Sequence, residues 1–350
     1  MAHRHWGTRH RVKTKLLLFT VCTLAALATA SSQPADVADQ DRLRSLDAAQ
    51  VARAIETLRA KHVSGAALDE AALTRATLWG LLKSLRPGAT LTGPKAAAAE
   101  ISPFRAEVLD GRSGYVRLGT LRSEALAELD ATLEDFRTRK VQGVVLDLRA
   151  TPESQDFAIA AEVASRFVPA GRELFTLRGP GLPAARTFTS KGSPTHLGSL
   201  IVIVDETTGG AAEVLAATLR WNARALLVGG RSSGRTVMIE SLELGGDNRL
   251  ELAVAEALIG GQSVYPRGLR PDVEIAQDPR VRAAVLAGAL ERGAAVYLYE
   301  HERAQTNEAA LVAGTIPELA EDESAPALID RPLQRAVDLV TALQLFAPAR

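Results

Sequence analysis

From Ser199 to Val204 the chain reads Ser-Leu-Ile-Val-Ile-Val, turns through Thr207-Thr208-Gly209-Gly210, and carries helix-forming residues from Ala211 to Asn222. Ala225 to Val228 then starts a second apolar run. An apolar run of this kind, bounded by turn residues, reads as a buried strand, and strands alternating with helices point to an α/β core. The same alternation extends in both directions. Gly114 to Leu118 alternates like a half-buried strand, and Ser123 to Lys140 places Leu126, Leu129, Leu133 and Phe136 on one helical face. Gly143 to Leu148 is a buried-strand run, Phe157 to Phe167 reads as a helix, and Leu174 to Leu177, Thr236 to Leu244 and Leu250 to Val254 read as strands.

Helical spacing also marks both flanks. Leu46, Val51, Ile55 and Leu58, then Leu78, Leu81, Leu82 and Leu85, predict two or three helices between Leu43 and Arg86, broken near Val63-Ser64-Gly65 and ended by Pro87-Gly88 and Gly93-Pro94. Pro279 to Tyr299 reads as a helix with Asp278 as N-cap, and Arg331 to Leu345 as another after an acidic linker at Glu318 to Glu323. At 350 residues the chain has room for one large domain or two modest ones.

The N-terminus has a different character. Arg4, Arg9, Arg11, Lys13 and Lys15 precede the apolar run Leu16 to Ala28, and Ala28-Thr29-Ala30 supplies small residues for cleavage, the three regions of a secretory signal. Such a run spans about 20 Å as a helix, less than the roughly 30 Å of a bilayer core, so cleavage after Ala30 is expected and no membrane span after it. The expected location is secreted or periplasmic. Cys22, the only cysteine, lies inside this segment, so no thiol or disulfide chemistry is expected of the cleaved chain. His62, His196 and His301 are scattered, so neither a metal site nor a cofactor is expected. With no acidic residue before Asp36, the neutral overall balance of 41 basic and 41 acidic residues leaves a mildly acidic body without a basic stripe. That argues against a nucleic-acid partner.

Two segments carry candidate chemistry. Gly229-Gly230-Arg231-Ser232-Ser233-Gly234-Arg235-Thr236 has the glycine spacing of a phosphate-cradling loop, with arginine where that motif has lysine. The residues that follow, Val237 to Leu242, alternate as a strand, whereas a phosphate loop must open a helix, so the segment reads as strand, turn and strand. The turn at Asp205 to Gly210 has a strand-to-helix geometry that often exposes a nucleophile, yet no serine sits at its apex. Thr207 and Thr208 read there as N-caps accepting backbone N–H bonds.

These segments, with Gly143 to Arg149, Ala225 to Gly229 and Gly268-Leu269-Arg270-Pro271-Asp272-Val273-Glu274, resemble the C-terminal processing, or tail-specific, serine peptidases. That family carries a Gly-Tyr-Ile-Arg-Leu-like strand, a Leu-Asp-Leu-Arg-Asn-Asn-Pro-Gly-Gly loop, a serine-rich turn ending in Glu, a Gly-Lys-Gly stretch and a Gly-x-x-Pro-Asp-Val-Glu close. The order holds from Tyr115 to Glu274. The resemblance implies a crotonase/ClpP-like α/β peptidase core of repeated strand-strand-helix units, flanked by N- and C-terminal helical regions. The organisation expected is a signal over 1–30, a linker over 31–42, a helical region over 43–93, the core over 104–278 and a C-terminal helical region over 279–350. The peptide-binding PDZ domain common in the family is missing, because only about 20 residues separate Pro94 from Tyr115, where a domain needs about 50 or more.

Alignment without gaps through Glu213, Arg224, Gly229 and Gly234 puts the family's nucleophilic serine at Gly210, its general-base lysine at Arg235 and its supporting glutamine at Ile239. Glycine has no oxygen to attack with. The guanidinium of arginine stays protonated and cannot accept the proton. Where the family has Asn-Asn-Pro-Gly-Gly this chain has Ala150-Thr151-Pro152-Glu153-Ser154, and an inward carboxylate at Glu153 disfavours an oxyanion. Apart from the N-terminal pair, the lysines are Lys61, Lys83, Lys95, Lys140 and Lys191, with none beyond. The expectation is a catalytically inactive pseudoprotease that binds a polypeptide segment or protein partner along Thr208, Gly209, Gly210, Gly234, Arg235 and Thr236. Its alternative is a divergent active serine-type endopeptidase using Thr208, Ser232 or Ser233 as a relocated nucleophile. The resemblance also suggests a homodimer through the helical regions.

Overall fold

In the computed structural model, which describes residues 42–94, 101–298 and 328–345, the apolar runs at 199–204 and 225–228 lie side by side as parallel strands. In chain order the elements are helices α1 (Ala48–Lys61) and α2 (Glu70–Ser84), then strands β1 (Ala89–Thr92), β2 (Arg105–Leu109) and β3 (Ser113–Arg117). Helix α3 (Ser123–Thr138), strand β4 (Gly143–Asp147), helix α4 (Phe157–Ala164) and strands β5 (Glu173–Arg178), β6 (Arg186–Thr189) and β7 (Ser199–Val204) follow. Helix α5 (Gly210–Asn222), strands β8 (Leu226–Gly229), β9 (Val237–Gly245), β10 (Asn248–Ile259), β11 (Gln262–Ser263) and β12 (Val273–Glu274), and helices α6 (Pro279–Arg292) and α7 (Arg331–Leu345) complete the described chain. The expected signal at 1–30, the linker up to residue 41 and the acidic linker at 318–323 lie outside the described residues.

Contacts divide the chain into two units, residues 1–79 and 80–350. In the first, α1 opens with a reciprocal cap in which Gln50 N donates to Asp47 Oδ1 at 2.7 Å and Asp47 N donates to Gln50 Oε1 at 2.9 Å. The second unit holds two sheets. One has the order β12-β8-β7-β4-β3-β2, with every neighbouring pair parallel except β2 and β3. All residues of β3 and β4 are buried, as both faces of this sheet are covered. Val116, Leu146, Val202 and Leu227 pack with α3, α4 and α5 on one face. Tyr115, Val145, Ile203 and Val228 pack with Leu298 and with Leu333 and Val337 of α7 on the other.

The second sheet is antiparallel, with β1, β5 and β9 all paired to β10 and β6 paired to β5. Its Phe175, Leu177, Ala257 and Ile259 join the same cluster as α4 and α5. Helix α5 is therefore enclosed, and its ten residues from Gly210 to Leu219 are all buried. Small side chains at Ala211, Ala212, Ala216 and Ala217 allow that packing.

Three differences from the sequence expectation have local causes. Residues 89–92, expected to end a helical region, form β1 because Ala89 to Thr92 pair with Leu252 to Arg249 of β10. Strands β2 and β6 were not expected, and each is short and held by one antiparallel neighbour. The helix expected over 279–299 stops at Arg292, where Gly293 takes a φ of +86°. Its start is as expected, with the Asp278 side chain accepting from Arg280 N and Val281 N.

A buried charge cluster joins α7 to the parallel sheet. Arg149, 1% exposed, pairs Nη2 with Asp147 Oδ2 and with Asp330 Oδ2, both at 2.7 Å, while Nε reaches Asp147 Oδ1 at 2.9 Å and Nη1 reaches Asp330 Oδ1 at 2.9 Å. Burial opposes the charge on Asp147, but facing Arg149 outweighs it and holds the carboxyl below its ordinary range. Tyr115 donates to Asp147 Oδ2 at 3.0 Å, and burial, then that carboxylate, pushes the phenol well up. Asp330 also caps α7 by accepting from Leu333 N at 3.1 Å. Asp330→Ala leaves the buried guanidinium half-paired and should cost about 3–5 kcal/mol in urea unfolding; a loss under about 1 kcal/mol would contradict this role.

Candidate functional site

The carboxyl ends of β4, β7 and β8 bring three segments together: the loop 150–156, the turn 205–209 and the loop 230–236. Thr208 Oγ1 accepts from Asp205 N at 3.1 Å and donates to Leu148 O at 3.3 Å. Thr207 Oγ1 donates to Asp205 Oδ1 at 2.6 Å and accepts from Ala150 N at 3.2 Å. Both threonines thus accept backbone N–H bonds, but not as helix caps. The N-cap of α5 is Gly209, with no side-chain bond, and the threonines tie the turn to the end of β4 and its loop.

Beneath the 230–236 loop lies Glu213, fully buried on α5. It accepts from the hydroxyl of Ser232, from Ser233 Oγ at 3.1 Å, Gly234 N at 2.9 Å and Arg235 N at 2.8 Å. A carboxylate inside a small-residue apolar helix must be paired to be tolerated, and these four donors meet that need. Ser232 Oγ also accepts from Leu269 N at 2.6 Å. On the sequence Glu213 is only an alignment marker. Its position among Ala, Val and Leu is the signal that it anchors something.

The decisive feature is the 150–156 loop, which reaches each position where the family resemblance puts a catalytic group. Ser154 O accepts from Ala211 N at 3.0 Å, beside Gly210. A Cβ at position 210 would lie 2.5 Å from that carbonyl oxygen and 3.0 Å from Glu153 Cγ, and Gly210 itself has a φ of +56°. Glu153 Oε2 pairs with Arg235 Nη2 at 2.6 Å. Gln155 Oε1 accepts from Ile239 N at 2.8 Å. The Glu153 carboxylate therefore points inward, as the sequence allowed, and spends its charge on Arg235. Burial raises its pKa first, Arg235 opposes, and the charges of Glu213 and Glu251 add to the rise.

The structure thus brings Thr208, Gly209, Gly210, Gly234, Arg235 and Thr236 together, but covered rather than along an open groove. All are buried except Arg235, whose side chain is 41% exposed. Of the proposed substitute nucleophiles, Thr208 and Ser232 are buried, and Ser233 is half-buried with its hydroxyl on Glu213. No sequence signal pointed to Ser154 or Gln155, whose contacts are made by a main-chain carbonyl and a loop amide.

Two outcomes follow from this packing. Gly210→Ala and Gly210→Ser should each lower stability by about 1–3 kcal/mol in chemical unfolding, the hydroxyl bringing no relief, since the collision and the left-handed φ belong to the Cβ. Equal stability of Gly210→Ala and the native chain would mean that the loop lies elsewhere. Because the raised pKa lets folded Glu153 keep its proton where the unfolded chain has lost it, its contribution to stability falls as pH rises through that interval. Glu153→Gln removes the loss, so its melting temperature relative to native should rise from about pH 4 to about pH 7. A relative fall over that range would show the Arg235 pair to be the larger effect.

Residues 112–275 match the model of Peptidase family S41. A carboxyl-terminal-processing protease of Synechocystis sp. is 27% identical over 189 residues, covering 53% of this chain and 43% of that protein. Carboxyl-terminal-processing peptidase 3, chloroplastic, of Arabidopsis thaliana is 28% identical over 185 residues, covering 50% and 35%. The chain therefore spans less than half the length of these relatives. Among solved structures, the photosystem II D1 C-terminal processing protease aligns over 55% of this chain and 49% of its own, at 27% identity and a TM-score of 0.41. The α/β core between residues 112 and 275 thus matches peptidase family S41 and is similar to the C-terminal-processing proteases.

Proposed function

We propose that this S41 domain does not hydrolyse peptide bonds and acts by binding a polypeptide segment or a protein partner. The observation that carries the reading is the loop 150–156 lying over positions 210, 235 and 239. A serine-lysine pair works because a partly desolvated lysine can be neutral and take the serine proton. Here Gly210 offers no nucleophile, and Arg235 is a permanent cation already paired with Glu153. The first free amide of α5 next to that position, Ala211 N, is taken by Ser154 O rather than left for an oxyanion. Thr208, Ser232 and Ser233 hydroxyls are each engaged in the hydrogen bonds that hold the site together.

The basic, apolar and small-residue succession at the N-terminus supports export to the periplasm or the medium. Self-association through the helical regions belongs to the same proposal.

Casein incubated with the chain from Ser31 onward should show no cleavage above a heat-killed control. The triple variant Gly210→Ser, Arg235→Lys, Ile239→Gln should stay equally silent, because the Ser154 carbonyl occupies the space its serine needs. Turnover by the native chain at ordinary protease rates, about 1 per second or faster, would overturn the proposal.

A further inference from the structure

Two arginines stand at the carboxyl end of the parallel sheet in opposite states. Arg149 is sealed, and its guanidinium is engaged by four carboxylate oxygens. Arg235 is partly exposed and, among the described residues, has one ionic contact, Nη2 to Glu153 Oε2, while its Nε is buried without a hydrogen-bond partner. Guanidinium groups prefer two parallel N–H bonds to one carboxylate. Glu153 falls short of that because its loop is tied down on both sides, by Ala150 N to Thr207 Oγ1 and by Ser154 O to Ala211 N.

The neighbouring contact is a substitute of the same kind. Ile239 N, on a strand whose described partner is β10 alone, is met by the side-chain amide oxygen of Gln155 and not by a main-chain carbonyl. A carboxylate at 153 and an amide oxygen at 155 therefore face Arg235 and Ile239 N from a single short segment. That is the pair of groups an extended acidic peptide would present. The Glu213 carboxylate beneath is already saturated by four donors and leaves the Arg235 guanidinium uncommitted to it.

We propose that Arg235 is a recognition residue for a carboxylate of an extended peptide, and that Glu153 holds its place as a tethered internal stand-in. The inference rests on the peptide-binding reading above and gives that ligand its chemistry. A ligand carboxylate that displaces Glu153 is not tethered to the 150–156 loop and can make the two parallel N–H bonds that the internal partner does not make.

The test is calorimetric titration of the full chain with three pentapeptides: acetyl-Ala-Ala-Glu-Ala-Ala-amide, its Gln counterpart, and acetyl-penta-alanine with a free carboxyl terminus. The proteins are native, Glu153→Gln, and Glu153→Gln with Arg235→Gln, each checked for native circular dichroism. Removing the competing carboxylate in Glu153→Gln should tighten binding of a carboxylate-bearing peptide at least tenfold over native. The same variant should prefer it at least tenfold over the Gln peptide, and Arg235→Gln should abolish the preference. Gain confined to the Glu peptide identifies a side-chain carboxylate as the source, and gain confined to the free-ended peptide identifies a chain terminus; both support the proposal. Equal binding of all three peptides by Glu153→Gln would overturn carboxylate recognition while leaving peptide binding in place. No binding of any peptide by any variant would remove the peptide-binding reading and this inference together.

Discussion

The buried cluster of Asp147, Arg149 and Asp330 is the constraint on which the rest of this structure depends. Asp147 closes β4, Arg149 stands two residues on, and Asp330 caps α7, so one guanidinium joins the central strand, the loop that follows it and the last helix. Removing charges from water is expensive, and such a cluster persists only where its geometry satisfies every partner. Here it does, with two fork-like pairs on one arginine and the Tyr115 hydroxyl on the remaining side of Asp147. The direction in which the chain leaves β4 is thereby fixed.

What the chain does next decides the chemistry. Ala150 adopts a φ of +51°, and the following residues fold back over the start of α5. In a hydrolase of this architecture the space above α5 must admit a substrate carbonyl and a nucleophile. In this chain the space holds Ser154 O and the Glu153 side chain. A side chain at position 210 and the closed loop exclude one another: a Cβ there would lie 2.5 Å from Ser154 O. Arginine at 235 completes the arrangement, since its charge gives the inward Glu153 a partner.

Much of the fold was legible because apolar runs and helical spacing report burial directly. The runs at 143–148 and 199–204 are the central strands, and Leu129, Leu133 and Phe136 are the buried face of α3. Strand β1 was not legible, because Ala-Thr-Leu-Thr becomes a strand only by pairing with β10, some 160 residues away. The candidate site divides in the same way. Gly210, Arg235 and Ile239 could be placed by alignment, but the direction in which the Glu153 side chain points could not be read from the sequence. Closure depends instead on contacts across the fold: Gln155 bonds Ile239 over 84 residues, and Ser154 acts through its main-chain carbonyl, which is the same in every residue type. The expected capping role of Thr207 and Thr208 failed for a related reason, because their acceptor and donor partners lie on the β4 loop as well as in their own turn.

The closed site is tested most directly by amide hydrogen exchange at Ala211. A first-turn amide has no acceptor within its own helix and ordinarily exchanges fast, so its protection reports the Ser154 carbonyl alone. The account predicts exchange at Ala211 slowed at least about a hundredfold relative to an unstructured peptide, with Ile239 slowed alongside it. Exchange at the unstructured rate at both amides, in a chain whose β4 and β7 amides remain protected, would show an open site and contradict the account.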